Sequence, residues 1–327
     1  MNPETVFFTY AEEIDTHTNT KLLTNDPNRM IYEIAGEGGN GTVEVLTLFP
    51  GVILQFHDFH CRSFRLPATE DVSEGLKINF CAEGRMEVRM SDHLCLFMEP
   101  GNLSLDVRTA QDSFRFPCGH YHGAELFLHY SAIGKTFPDI WQTFEINPEK
   151  IQKRFCNKGK NYVIYAEERI KQLFLAMLDA PNECRIEYLK IKATELLFLL
   201  QSAQMPDQSD TGSLMTTGQV EIAKQVMEVL TKDLGQHVSV ETLAELFGIS
   251  ASSIKNYFRG VYGKNISTYM RESRMSAAAI ALRDSQQPVA EIALAVGYEN
   301  ASKFSAAFKN FFGISPMEYR RQSRCGI

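Results

Sequence analysis

Two sets of polar side chains near the end of this 327-residue chain are spaced to work as a pair. Ser252, Lys255, Asn256 and Arg259 fall at i, i+3, i+4 and i+7, one face of a helix, and Asn300, Ser302, Lys303 and Ser305 begin a second polar stretch about fifty residues later. The chemistry they offer is hydrogen bonding. A Lys ammonium donates to the acceptors of guanine, an Asn amide pairs with adenine, Ser suits either, and an Arg guanidinium pairs with phosphate. A solvated helix face would show the same spacing, so the element that carries these residues decides what they are for.

That element is written twice. Leu243-Ala244-Glu245-Leu246-Phe247-Gly248 recurs as Ile292-Ala293-Leu294-Ala295-Val296-Gly297, an offset of 49. After one inserted residue the match resumes at an offset of 50, pairing Ile254 with Phe304, Phe258 with Phe308, Gly263 with Gly313 and Tyr269 with Tyr319. Each copy has the grammar of a helix-turn-helix: a small residue where helices approach (Ala244, Ala293), then a glycine four residues on (Gly248, Gly297) that frees the backbone of the turn. Apolar residues return at helical spacing, Ile254, Tyr257 and Phe258 in one copy and Phe304, Ala307, Phe308 and Phe311 in the other. Ser250 is the expected N-cap of the first second-helix, and Asn300 or Ser302 of the second. Residues 266–283 read as one connecting helix. Two copies are too few for a solenoid, which needs at least three. The apolar faces point inward, so the opposite faces are left for readout: Ser252, Lys255 and Asn256 with Arg259 towards phosphate, then Asn300, Ser302, Lys303 and Ser305.

The run Gly263, Tyr269, Arg274, Ala278, Leu282-Arg283-Asp284, Val289-Ala290-Glu291-Ile292-Ala293, Val296-Gly297-Tyr298, Phe304, Phe308-Lys309, Phe312-Gly313-Ile314-Ser315-Pro316 and Tyr319-Arg320 resembles the AraC/XylS family of transcriptional regulators. The resemblance implies a DNA-binding regulator that activates or represses promoters in response to a small-molecule effector, with promoter DNA and RNA polymerase as partners. The family reads DNA at or beside the eight positions named above. Ala306 departs from relatives that carry a longer polar side chain there, so the second helix is expected to specify less and position more.

Net charge agrees once it is divided. The whole chain is at −7, but residues 239–327 hold 11 Lys and Arg against 7 Asp and Glu, a balance of +4, and residues 1–238 hold 22 against 33, a balance of −11. Lys255, Arg259, Arg271, Arg274, Lys303 and Lys309 lie in or beside the second helices and the connector.

Upstream the period changes to two. Residues 1–40 are ambiguous; strands are expected at 42–49, 52–56, 76–81, 85–90, 93–98, 103–107 and 124–130, separated by turns such as Pro50-Gly51 and Glu99-Pro100-Gly101. Short strands at this spacing suggest a barrel or sandwich, and the resemblance implies a cupin-like β-barrel. Helices are expected at 161–178 and 185–202, the second a candidate dimer face with Leu199 pointing outward. The overall expectation is an α+β chain. Residues 1–147 form a β-rich effector-binding domain, 148–203 a helical dimerisation segment, 204–217 a linker, and 218–327 an all-α tandem helix-turn-helix domain with motifs at about 240–260 and 289–311. The helix at 185–202 could be half of an antiparallel pair covering the barrel or carry a stripe against another subunit, and both can hold; a homodimer through it is expected.

Other chemistries fare worse. His120-Tyr121-His122-Gly123-Ala124-Glu125 is reminiscent of a cupin metal motif, but its spacing is short and a later histidine motif is missing; His57, His60 and Cys61 form a looser cluster. No metal, cofactor or catalytic residue is assigned, and no enzyme activity is expected. The alternative is a cupin-type metal-dependent enzyme or metal sensor fused to a DNA-binding domain. Seven scattered cysteines without a Cys-x-x-Cys pair fit reduced thiols. Residues 1–15 lack the apolar core of a signal peptide, and no apolar run approaches about 18 residues. The expected location is the cytoplasm, with no membrane partner.

Overall fold

Alternating apolar residues become strands in the first of two units. The computed structural model describes residues 20–65, 75–107, 113–133, 138–156, 162–203 and 214–324, and the chain divides into units 1–214 and 215–327. In the first unit the strands are β1 (Thr20–Asp26), β2 (Arg29–Gly36), β3 (Gly39–Phe49), β4 (Val52–His60), β5 (Ser63–Arg65), β6 (Gly75–Gly84), β7 (Met86–Ser91), β8 (Leu94–Met98), β9 (Asn102–Asp106), β10 (Ser113–Arg115) and β11 (Tyr121–His129). They are followed by α1 (Tyr130–Ile133), α2 (Asp139–Thr143), α3 (Pro148–Phe155), β12 (Tyr162–Tyr165), α4 (Glu168–Leu178) and α5 (Arg185–Ser202).

One antiparallel sheet runs in the order β1-β2-β3-β4-β11-β6-β9-β12. One face, with Leu54, Phe56, Ile78, Phe80, Leu103 and Leu126, packs beneath Ile151, Phe155, Phe174, Leu189 and Leu197 of α3, α4 and α5. The other, with Val43, Val45, Phe59 and Tyr121, is met by Phe64, Phe116 and the hairpin residues Met86, Val88, Leu96 and Met98. The expected barrel is corrected here. The sheet is open, with β1 and β12 as its ends, and layers of helix and hairpin bury its two faces in place of closure.

Trp141, the only tryptophan, fastens the helices to the sheet. It is fully buried, its Nε1 donates to Thr194 Oγ1 of α5 at 3.0 Å, and its ring meets Phe49 of β3 edge-on at 5.7 Å.

Several expectations change. Residues 20–36, ambiguous in sequence, are β1 and β2. The helix expected at 161–178 begins only at Glu168, because Tyr162-Val163-Ile164-Tyr165, rich in aromatic and β-branched residues, pairs with β9. Leu199 does not point outward; it packs on the helix-covered core, and Ile191 and Phe198 are the exposed apolar residues of α5, at 65% and 48%. Of the expected linker, residues 204–213 lie outside the described residues.

The second unit is helical: α6 (Thr217–Lys232), α7 (Val240–Phe247), α8 (Ala251–Tyr262), α9 (Ile266–Asp284), α10 (Val289–Ala295), α11 (Ala301–Phe312) and α12 (Pro316–Arg324). A reciprocal capping box between Thr216 and Gln219 starts α6. No helix among the described residues is long and apolar enough to cross a membrane.

Candidate nucleic-acid interface

The repeated sequence produces a repeated backbone. Gly248 and Gly297 have φ of +66° and +83°, in the left-handed region that costs an L side chain about 1–2 kcal/mol. Around each, the turn closes through matched hydrogen bonds. Gly248 N–H donates to Glu245 O and Ile249 N–H to Ala244 O, at 3.3 and 3.1 Å; Gly297 N–H donates to Leu294 O and Tyr298 N–H to Ala293 O, at 3.0 and 2.8 Å. The second helices then start on side-chain caps. Ser250 Oγ accepts from Ser253 N–H at 3.1 Å, and Asn300 Oδ1 accepts from Ser302 and Lys303 N–H at 2.7 and 3.2 Å. Both end on left-handed glycines, Gly263 and Gly313.

Burial then fixes how each second helix is rotated. Ile254 and Phe258 of α8 are buried, as are Phe304 and Phe308 of α11, the latter pair against Met275, Ala278 and Leu282 of α9. On α8 this leaves Ser252, Lys255, Asn256 and Arg259 exposed on one face. The same offset of 50 marks the corresponding face of α11 as Ser302, Ser305, Ala306 and Lys309, of which Ser305 is half-buried and the others exposed. Lys303 is exposed but aligns with Ser253, and Asn300 sits at the cap with its carbonyl oxygen occupied. Lys309, the counterpart of Arg259, was not among the sequence-derived readout residues; extending the repeat offset to it would have found it. Phe311, expected inside, is 42% exposed. Neither α8 nor α11 carries an acidic residue, so nothing on either helix opposes a phosphate backbone.

Arg274 belongs to the scaffold. Its Nε donates to Leu234 O at 3.0 Å and an Nη to Gln236 O at 3.2 Å, while its guanidinium lies where a Cβ on Gly297 would project. Lys264 is likewise paired with Glu272 at 2.7 Å. Of the basic residues that the sequence groups together, Lys255, Arg259, Arg271, Lys303 and Lys309 are exposed, whereas Arg274 is tied to backbone carbonyls.

The histidine motifs of the first unit do not assemble as their sequence order suggests. His122 and Glu125, an odd number of residues apart on β11, lie on opposite faces of the sheet. His57 and His60 are separated in the same way on β4, and Cys61 is buried in the hairpin-side core. His57 bonds Gln55 at 3.1 Å and packs beside Phe59 and Tyr121. Burial lowers its pKa, opposed by Glu125 and reinforced by Lys77 and His122. Burial also pushes the Cys81 and Cys156 thiols up to about 12, which keeps them protonated and poor nucleophiles or metal ligands.

A helix-turn-helix domain family matches residues 243–322. The Msm operon regulatory protein of Streptococcus mutans is 24% identical over 257 residues, 77% of this chain and 86% of its own length. Regulatory protein SoxS of Salmonella typhimurium is 28% identical over 102 residues, 31% of this chain and 95% of its own. The chain spans less than half the length of several other curated relatives that it matches. Among solved structures, the DNA-binding domain of AdpA in complex with a target DNA is 25% identical over 32% of this chain and 93% of that one, with a TM-score of 0.30.

The two turn glycines should differ in their tolerance of a methyl group. At Gly248 nothing lies within 4 Å of the added Cβ, whereas at Gly297 it would meet Leu234 O at 2.8 Å and Arg274 Cζ at 3.0 Å. Gly248→Ala is expected to cost only the left-handed strain, about 1–2 kcal/mol, and Gly297→Ala distinctly more. Urea melts of the two variants check the order, and equal costs would contradict the close packing at Gly297.

Proposed function

We propose that this chain, a member of the AraC/XylS family of transcriptional regulators, binds double-stranded promoter DNA asymmetrically through two unequal recognition helices. The observation that carries the proposal is the exposed, acid-free face that recurs at an offset of 50, backed in each copy by a buried apolar face. On α8, Lys255 and Asn256 read base edges with Ser252 beside them, and Arg259 holds phosphate. On α11, Asn300, Ser302, Lys303 and Ser305 lie along the DNA, and Lys309 repeats the role of Arg259. Ala306 stands where α8 has Asn256, so α11 gives up a base-reading amide and contributes more to position than to sequence choice.

Asn256→Ala is expected to flatten base preference in one half-site, at about 1–3 kcal/mol of discrimination for a bidentate contact. Arg259→Ala and Lys309→Ala should each weaken all sequences alike and reduce the salt slope by about 1. Selection from random duplexes, with salt titrations, measures both. An unchanged sequence logo for Asn256→Ala would remove α8 from base readout.

The first unit is the effector domain in this proposal. Support comes from the sheet face opposite the helices, where Gln55, His57, Lys77, Asn79 and Glu125 alternate into the strands beside the rings of Phe59, Phe116 and Tyr121. Polar groups set among apolar rings are the usual makeup of a small-molecule site. A small polar metabolite bound there should raise the melting temperature of the full-length protein in EDTA; a broad metabolite panel with no shift would count against sensing. A cupin-type enzyme is not favoured, since the motif that suggested it is split across the sheet.

Dimerisation is proposed through α5. Ile191 and Phe198 are exposed, and Phe144 of α2, 48% exposed, meets Phe198 edge-on at 6.2 Å. A dimer would raise promoter occupancy through effective concentration, and contact with RNA polymerase follows from the family resemblance. Phe198→Glu should shift sedimentation from dimer to monomer; a monomeric parent protein at micromolar concentration would refute the interface.

A further inference from the structure

Ionisable side chains gather where β4 ends, β11 begins and β6 ends. In register, Asp58 pairs with His122 and His122 with Glu83, so these three share one face of the sheet. His60, two residues beyond Asp58, shares it too. His120 precedes β11, and its ring stacks on that of His60 with centroids 5.1 Å apart. One donor atom each from Asp58, His60 and His120 lies within 4.8 Å of the other two. Donors on a shared zinc ion sit about 2.0–2.2 Å from it, hence within about 4.4 Å of one another. Small rotations would close the set.

The state of His120 supplies a second, independent observation. Its Nε2 lies 3.3 Å from Glu83 Oε2. An ionised carboxylate only accepts, so Nε2 carries the proton, and in the neutral ring the lone pair is on Nδ1. That Nδ1 is buried and has no hydrogen-bond partner among the described residues. An unpartnered buried acceptor is costly, and a cation would supply what it lacks. A carboxylate on the far nitrogen is also how metal-binding imidazoles are oriented.

We propose that Asp58, His60 and His120 form a binding site for a divalent transition-metal ion of the zinc class, with Glu83 as the outer partner that orients His120. The imidazoles disfavour calcium and magnesium, which take oxygen ligands. Three protein donors leave a coordination position open. The ion would tie β4 to the start of β11 on the face opposite His57 and Glu125, so the site is separate from the proposed effector face.

Calorimetric titration of EDTA-stripped, full-length protein with zinc chloride tests the site. One ion per chain is expected. His60→Ala and His120→Ala should abolish binding, and Glu83→Gln should weaken it about tenfold or more; His93→Ala, at an exposed turn, should leave it unchanged. Cobalt(II) titration should give ligand-field absorption bands that vanish in the same two variants. Circular dichroism separates loss of binding from loss of fold, and His60 is exposed enough for its variant to serve if His120→Ala fails to fold. No binding, or binding indifferent to both histidine variants, would overturn the proposal.

Discussion

Burial of one apolar face on each second helix is the constraint on which the DNA-reading unit depends. Ile254 and Phe258 on α8, and Phe304 and Phe308 on α11, are at most 1% exposed. Removing any of them would open a cavity worth about 2–5 kcal/mol. With those residues inward, the helical period leaves no choice about which side chains face solvent. The left-handed glycines set where each helix can begin, and the side-chain caps hold it there. The base recognition proposed for these helices would thus be built on packing. The polar face is available because the apolar one is committed.

The two copies share this frame and differ in what they display. α8 presents an amide and two cations; α11 keeps the cation at its far end and has a methyl group at the position of the amide. A duplicated scaffold with unequal faces suits an asymmetric site, because neither helix has to read what the other reads. Arg274 shows how the copies are braced together. Running from α9 to the carbonyls of Leu234 and Gln236, and packed at Gly297, it uses its charge inside the unit.

Much of this was legible in the sequence because it rests on local rules. Glycine at the turn, Ser or Asn at the cap and apolar residues at 3.6 spacing leave a trace in one dimension. What was missed depended on partners distant in sequence. Tyr162-Val163-Ile164-Tyr165 has a helix-compatible apolar content, and only the free edge of β9 makes it a strand. Leu199 and Phe198 are neighbours that differ in which one the sheet-bound core covers. An open sheet and a closed barrel have the same alternation along each strand, so closure could not be read from periodicity. His60 and His120 are sixty residues apart, and only the β4–β11 register brings their rings together. Lys309, by contrast, was within reach, since the repeat offset that pairs Phe258 with Phe308 also pairs it with Arg259.

The proposal that one chain binds DNA asymmetrically through two unequal helices implies that they enter successive major grooves on one face of the duplex. Hydroxyl-radical footprinting of the full-length protein on a selected high-affinity site tests it most directly. Two protected windows per bound chain are predicted, on the same face and about 10 base pairs apart, with no inverted-repeat symmetry between them. A single protected window, or two windows related by a palindrome within one chain's footprint, would contradict the account.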